Sequence, residues 1–375
     1  MLLVPPESLL HAVPLLVGLA IPGTVIGVSS LLFSRRGSDR SVQKRQTVRS
    51  AVGEMEIRTA RAIAEANPDT AALMALPGDK SLLFNQTRNS FLMVASTRFS
   101  LLSHGGVFGP ESEKVDLLEQ FLQNANNQGK AALVSMVRKQ DAELYRTHGF
   151  QLHKMGDEAV LQLNNNLMQG SSFRNLRNTM RRLIKASCRF EVLNPREEKL
   201  PMEELKRISE AWLRVHHNPE LHFSLGRFSE EYLSRNPVAI IRCEGQAVAF
   251  ANILELPARG CFTLDLLRHD PSAQNGVIDF LVGSLMLWGQ SKGYHRFNLG
   301  LSPLRGITEE QWGWYGMGGR LLYHYGEHFY PFRGMYRFKR KFKPHWEPRY
   351  LAVEPGLRGL VSTLDYLMLL RSPKS

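Results

Sequence analysis

Residues 261–301 read CFTLDLLRHDPSAQNGVIDFLVGSLMLWGQSKGYHRFNLGL. CFTLDLL is a short apolar run with the spacing of a strand. Pro271 and Asn275-Gly276 then turn the chain. VIDFLVGSLMLWGQSKG is long and apolar enough for a buried helix, and Gly293 ends it. YHRFNLGL comes next as a second buried strand. Strand, helix and strand in that order are the unit of a mixed α/β fold.

The same logic extends outward. CRFEVL and PVAIIRC are strands, and Glu244-Gly245 closes a hairpin onto QAVAFANILEL. MEELKRISEAWLRVHH has helical spacing, with apolar positions at Leu205, Ile208, Trp212 and Val215. Earlier, SLLFN, SFLMVAS and FSLLS read as strands. VDLLEQFLQNANNQG is a helix with a glycine stop, AALVSMV a buried strand, and DAELYRTHG a short helix before FQLHKMGDEAVLQL. Two units of similar element order emerge, without a residue-level repeat. The expected organisation is α/β (α+β), with units at 51–165 and 190–355. A connecting helix at 166–189 joins them, and a C-terminal helix or tail fills 356–375.

The front of the chain differs. No Asp, Glu, Lys or Arg occurs between Ser8 and Ser34, a run long enough for the ~20 residues of a membrane span. Residues 1–34 are therefore expected to be a transmembrane anchor. Residues 35–50 form a basic linker that places the rest of the chain on the cytoplasmic side of the inner membrane. The formal net charge of +12 favours polyanionic partners, nucleic acid or an anionic lipid surface. Cys188, Cys243 and Cys261 form no paired spacing, so they read as buried or idle thiols in a reducing compartment. No metal-ligand spacing occurs, and the sequence calls for no cofactor.

Several stretches carry candidate chemistry. Asp265 and Arg268 stand three apart near a strand end, at a rim where α/β folds collect their sites; a structural ion pair is the alternative. Asn275 and Gly276 lead into a helix start, whose free N–H groups suit an anion. Gly300-Leu301-Ser302-Pro303 gives a second sharp exit towards the same rim, with Ser302 as a candidate contact. SSFRNLRNTMRRLIKASCR, residues 171–189, holds six basic residues and no acid. Leu176, Met180, Leu183 and Ile184 fall on one face, and Arg174, Arg177, Arg181 and Lys185 on another, which suits phosphates. Residues 329–350 interleave aromatics with seven basic residues against one acid. That mixture suits a nucleotide end or a membrane interface. Tyr330, Arg333, Lys339 and Lys341 are its candidates. Residues two apart on a helix diverge, so only one of Lys339 and Lys341 is expected in a common site.

FSLGRFSEEYL (223–233), AFANILE (249–255), residues 265–304 and FYPFRGMYRFKRKFKPHWEPRYLA (329–352) together resemble the catalytic region of the bacterial aminoacyl-phosphatidylglycerol synthases. These are also called phosphatidylglycerol lysyltransferases or multiple peptide resistance factor proteins. PGDKSLLF (77–84) and LYRTHGFQLHKMGDEAVLQL (144–163) resemble their N-terminal half. The resemblance implies two tandem acetyltransferase-like (GNAT) domains joined by a basic helix. It implies transfer of lysine or alanine from aminoacyl-tRNA to a hydroxyl of phosphatidylglycerol, which alters surface charge and resistance to cationic peptides. The family's D-L-M-R-H motif falls on Asp265 and Arg268, and its F-K-x-K-F lysine on Lys339 or Lys341. Where the family carries G-D-P-x-G this chain has SHGGVFGP, without the aspartate, and YPFRGM replaces Y-N-F-x-G-L.

Two other readings compete. An acyl-coenzyme A acyltransferase would need a Q/R-x-x-G-x-G/A loop, and Gln274-Asn275-Gly276 lacks its second glycine. A membrane-tethered RNA-binding protein would keep the basic helix but need neither Asp265 nor Arg268.

Overall fold

The structure, a computed structural model, describes residues 53–67, 69–216, 226, 228–307 and 332–371. The expected anchor and basic linker, and Tyr330, lie outside these residues. No helix among the described residues is long and apolar enough to cross a membrane.

Eleven strands form one continuous sheet. They are β1 (Ser81–Phe84), β2 (Phe91–Ser96), β3 (Ser100–Phe108), β4 (Ala131–Arg138), β5 (Gln151–Gln162), β6 (Cys188–Leu193), β7 (Val238–Cys243), β8 (Gln246–Leu256), β9 (Cys261–His269), β10 (Arg296–Pro303) and β11 (His345–Val353). Their order across the sheet is β1-β2-β3-β4-β11-β5-β10-β9-β8-β7-β6. Two neighbouring pairs are parallel, β3 with β4 and β9 with β10; the others are antiparallel. The order reads alike from the centre outwards in both directions. On each side a long antiparallel strand meets a parallel pair and then a meander. The two central strands are exchanged, however. β11 lies against β4, and β5 lies against β10.

Nine helices decorate the described sheet: α1 (Glu54–Ala66), α2 (Lys114–Asn127), α3 (Ala142–Thr147), α4 (Arg174–Lys185), α5 (Met202–His216), α6 (Glu230–Leu233), α7 (Val277–Ser291), α8 (Phe332–Arg340) and α9 (Gly356–Arg371). Each parallel pair is joined by a crossover helix, α2 for β3–β4 and α7 for β9–β10, as parallel strands require. The helix α7 buries Val277, Phe280, Leu281, Val282, Leu285 and Met286. Its apolar circumference is what sandwiching between sheet and α4 requires. At Gly283 a Cβ would stand 2.8 Å from the Met180 sulfur, so the missing side chain lets α4 close on α7. On the other side of β7–β9, α5 places Leu205 and Ile208 on Phe250, Ile240 and Leu266.

Buried charge joins the central strands to the start of the fold. Arg349 of β11 donates to Asp69 at 2.8 and 2.9 Å and to Glu158 of β5 at 2.8 Å. Asp69 in turn caps the 3-10 helix Thr70–Ala75 through the Ala71 N–H. A buried pair of this kind is costly to break, because one charge would be stranded.

Three expectations need correction. Ile184 is 58% exposed and leaves the buried face to Leu176, Met180 and Leu183, because it lies one residue past the contact line with α7. Val215 likewise points outward near the end of α5. Cys188 and Cys243 are not idle thiols but a disulfide. They stand directly opposite on the antiparallel pair β6–β7, where facing side chains touch. Cys261 is a buried free thiol.

Candidate active site

The parallel ladder between β9 and β10 is short. It joins Cys261, Phe262 and Thr263 to Arg296, Phe297 and Asn298, and no ladder pairs the two strands beyond that. Thr263 Oγ1 seals the last rung on the Asn298 carbonyl at 2.9 Å. Asp265 lies two residues past the rung on β9, and Gly300 two residues past it on β10. Past the rung both strands are irregular, β9 between Leu264 and Leu267 and β10 between Asn298 and Leu301, so the sheet opens between them.

Asp265 and Arg268 would point to opposite faces of a regular strand, because three is an odd step. A bulge removes that obstacle. Between Ala251 and Ile253 of β8, β9 advances from Leu264 to Leu267 and so carries one extra residue. Asn252 fills the bulge, its Oδ1 accepting from Leu266 N at 2.6 Å. The Asn252 Nδ2 is buried without a hydrogen-bond partner among the described residues. In consequence Leu266 packs in the α5 core, and Arg268 donates to Ser209 of α5 with its guanidinium 5.4 Å from the Trp212 ring. Asp265 reaches the 226–232 segment on the same side.

Two donors hold the Asp265 carboxylate. Gly226 N donates to Oδ1 at 2.8 Å, and the Tyr232 hydroxyl to Oδ2 at 2.8 Å. A Cβ on Gly226 would sit 2.0 Å from Oδ2, so only glycine allows this approach. Burial pushes the Asp265 carboxyl up, against the pull of both donors and of Lys80. Burial and the adjacent carboxylate push the Tyr232 phenol well above its usual range. Lys80, whose side chain is fully buried, is itself paired with Asp79 at 2.7 Å. A carboxylate of raised basicity with a hydroxyl beside it can accept a proton or hold a cationic amine.

Across the opening, Lys339 of α8 donates to the carbonyls of Gly300 at 3.0 Å and Leu301 at 2.7 Å. These carbonyls turn inward because β10 is irregular between Asn298 and Leu301 in its pairing with β5. Burial pushes the Lys339 ammonium down to about 7, with Glu158 pulling the other way. The Asn298 side chain braces the turn, donating to Thr70 at 2.9 Å and accepting from Gly300 N at 2.7 Å.

The remaining predicted residues divide. Lys341 is outside the site: it pairs with Asp279 of α7 at 2.9 Å, and its side chain is 52% exposed. The Asn275–Gly276 turn lies against α4, with Asn275 still exposed. Arg182 donates to the Asn275 carbonyl, and a Cβ at Gly276, whose φ is +90°, would stand 2.5 Å from the Thr179 methyl. Arg177 is occupied by the carbonyls of Met168 and Gly170 at 2.6 and 2.8 Å, while Arg174 and Arg181 are exposed. Ser302 is fully buried within β10, its hydroxyl unpartnered among the described residues, so the strand does not exit at Gly300. The Arg333 side chain lies outside the described residues. Among those described, no group of three or more His, Cys, Asp or Glu side chains is placed to hold a metal ion.

Gly226, Tyr232, Asn252, Asp79 and Lys80 were not singled out from the sequence. All five stand inside runs that carry the family resemblance, in FSLGRFSEEYL, AFANILE and PGDKSLLF, and that was the signal available.

Comparison with known proteins converges on one group. Residues 60–353 match the family described as phosphatidylglycerol lysyltransferase, C-terminal. A phosphatidylglycerol lysyltransferase of Staphylococcus epidermidis is 30% identical over 297 residues, covering 78% of this chain and 35% of that protein. The chain thus spans about a third of the length of the curated relatives it matches. A solved C-terminal domain from Agrobacterium fabrum is 31% identical with a TM-score of 0.77, over 85% of this chain and 97% of that one. The L-PGS of Bacillus licheniformis gives 28% identity and a TM-score of 0.73, over 84% and 97%.

Proposed function

Because the chain belongs to the phosphatidylglycerol lysyltransferase C-terminal family, we propose that it transfers an aminoacyl group, lysyl or alanyl, from aminoacyl-tRNA to a hydroxyl of phosphatidylglycerol. The observation that supports the reading is the end of the β9–β10 ladder, past which Asp265 stands on β9 and Lys339 donates to Gly300 of β10, with Arg268 on the Asp265 face.

An aminoacyl ester is already activated, so the protein's task is to position two substrates and steady an oxyanion. The lipid hydroxyl oxygen attacks the ester carbonyl carbon. A new lipid ester forms as the bond to the terminal ribose breaks. The hydroxyl proton passes to Asp265, directly or through water, and returns to the departing ribose oxygen. In a variant of the same scheme Asp265 holds the substrate α-amino group instead. Arg268 and Lys339 bind lipid phosphate or the tRNA end and steady negative charge. The exposed Arg174, Arg181 and Lys185 of α4 fit the tRNA backbone.

The wider architecture fits the same reading. Residues 51–165 and 190–355 are two tandem GNAT-like domains joined by the segment 166–189, and the mirrored strand order supports this. Residues 1–34 anchor the chain in the inner membrane with residues 35–50 on the cytoplasmic side. Aminoacylation would make the membrane surface more cationic and raise resistance to cationic antimicrobial peptides.

Radiolabelled alanyl- and lysyl-tRNA, offered separately with phosphatidylglycerol vesicles, test the reaction and name the donor. A labelled aminoacyl lipid is expected with one of them. Bound tRNA with no lipid product would leave the RNA-binding alternative standing.

A further inference from the structure

Helix α9 lies beyond residue 353, where the family match ends. Its inner side packs Tyr366 with Leu102, Leu133, Leu351 and Val353 of the sheet. Its outer side carries Leu357, Leu360, Val361 and Leu364, 79, 49, 37 and 42% exposed. Their spacing of three, four and seven makes one continuous apolar stripe. The only acid of the helix, Asp365, is turned inward and accepts from Thr97 Oγ1 at 2.5 Å. That bond docks the turn after β2 beside the stripe. The turn presents Phe99, 53% exposed, with the Arg98 guanidinium 5.0 Å from its ring. Arg358 stands within the stripe's first turn, shared with Glu354 at 2.8 Å.

Apolar side chains with cations at their margins, and no outward acid on the helix, match one kind of partner. We propose that α9 and the 97–99 turn form a docking surface for an anionic lipid bilayer, with α9 lying in the plane of the headgroups. Such helices bury their apolar face roughly 5–10 Å into the interface, and basic residues add attraction to anionic lipid. A second copy of the chain fits less well, since a stable protein interface uses ~20–30 residues a side. The chain's own apolar run at 8–34 fits less well too: it has no charge to answer Arg98.

Photocrosslinking of the full chain tests this. A benzoylphenylalanine replacing Leu364 is illuminated with the protein in phosphatidylglycerol vesicles and, separately, in phosphatidylcholine vesicles. The expected product is a lipid adduct that is strong in the first and weak in the second, and missing when the probe replaces Val115 of α2. Equal yield in both vesicles, crosslinks to a second copy or to residues 8–34, or no adduct would each overturn the proposal. The double variant Leu360→Glu, Leu364→Glu adds a second readout. Its aminoacyl transfer to vesicle-embedded phosphatidylglycerol should fall about tenfold, while transfer to the same lipid dispersed in detergent should not change. Equal loss in both formats would count against docking. Only this activity readout rests on the function proposed above; if the unaltered chain transfers nothing, the crosslink still decides.

Discussion

Asp265 is half-buried and accepts hydrogen bonds from two donors, so its proton affinity is set by their competition with desolvation. Removing one donor should tip that competition. The phenol of Tyr232 favours the ionised carboxylate, so Tyr232→Phe should raise the carboxyl further. Activity that needs the carboxylate is lost as pH falls through that value. The acid limb of the kcat/KM profile should therefore move to higher pH in the variant. Asp265→Asn should cost roughly 10²–10⁴ in rate with the thermal midpoint little changed; full activity would remove Asp265 from the mechanism. The two lysines should separate as cleanly. Lys339→Met is expected to abolish most transfer, whereas Lys341→Ala, which only frees Asp279, should stay near the unaltered rate. Lys339 also leaves a thermodynamic mark. Its folded value of about 7 lies below the ordinary lysine value of 10.5. Between the two, the unfolded chain binds more protons. Stability should therefore rise with pH across that window, by up to about 1.4 kcal/mol per unit from this group. Urea unfolding of Lys339→Met between pH 7 and 9 should lack that rise.

Helices and strands were largely legible one at a time. The strand–helix–strand of 261–301 became β9, α7 and β10, and the glycine stops fell where expected. Local period records which face of an element is apolar, and that was enough for Leu205 and Ile208 and for Leu176, Met180 and Leu183 of α4, though not for Ile184 or Val215. It does not record what lies across from the element. The bulge that puts Asp265 and Arg268 on one face depends on Asn252 in the neighbouring strand, and the Cys188–Cys243 bond depends on a register 55 residues apart. The same blindness hid the contact between α4 and Asn275-Gly276. The covering helix α4 comes from about a hundred residues earlier. Gly276→Ala should now be destabilising by roughly 1–3 kcal/mol from its left-handed backbone alone. Thr179→Ser, which removes the methyl 2.5 Å from the new Cβ, should recover only the steric part. Chemical denaturation midpoints of the two variants would measure both shares.

Over the whole molecule, the charge excess was readable from composition, and the exchange of β5 and β11 was not. No local pattern says that a strand from the second half of the chain must pair with β4. Charge has its own test at this scale. Replacing Arg174, Arg181 and Lys185 with alanine should weaken tRNA binding irrespective of sequence. The slope of log affinity against log salt should fall by about 2, if each cation meets one phosphate. An unchanged slope in filter-binding titrations would move the RNA elsewhere. The exchanged strands bear on how the protein is made. During synthesis β4 and β5 emerge early, while β11, which belongs between them, comes some two hundred residues later. Until then the nascent chain holds two unsatisfied sheet edges facing a vacant slot, the condition under which growing chains aggregate or call on chaperones. The first half is thus committed to waiting for the last strand. The ribosome must deliver the chain through β11 before the sheet can close.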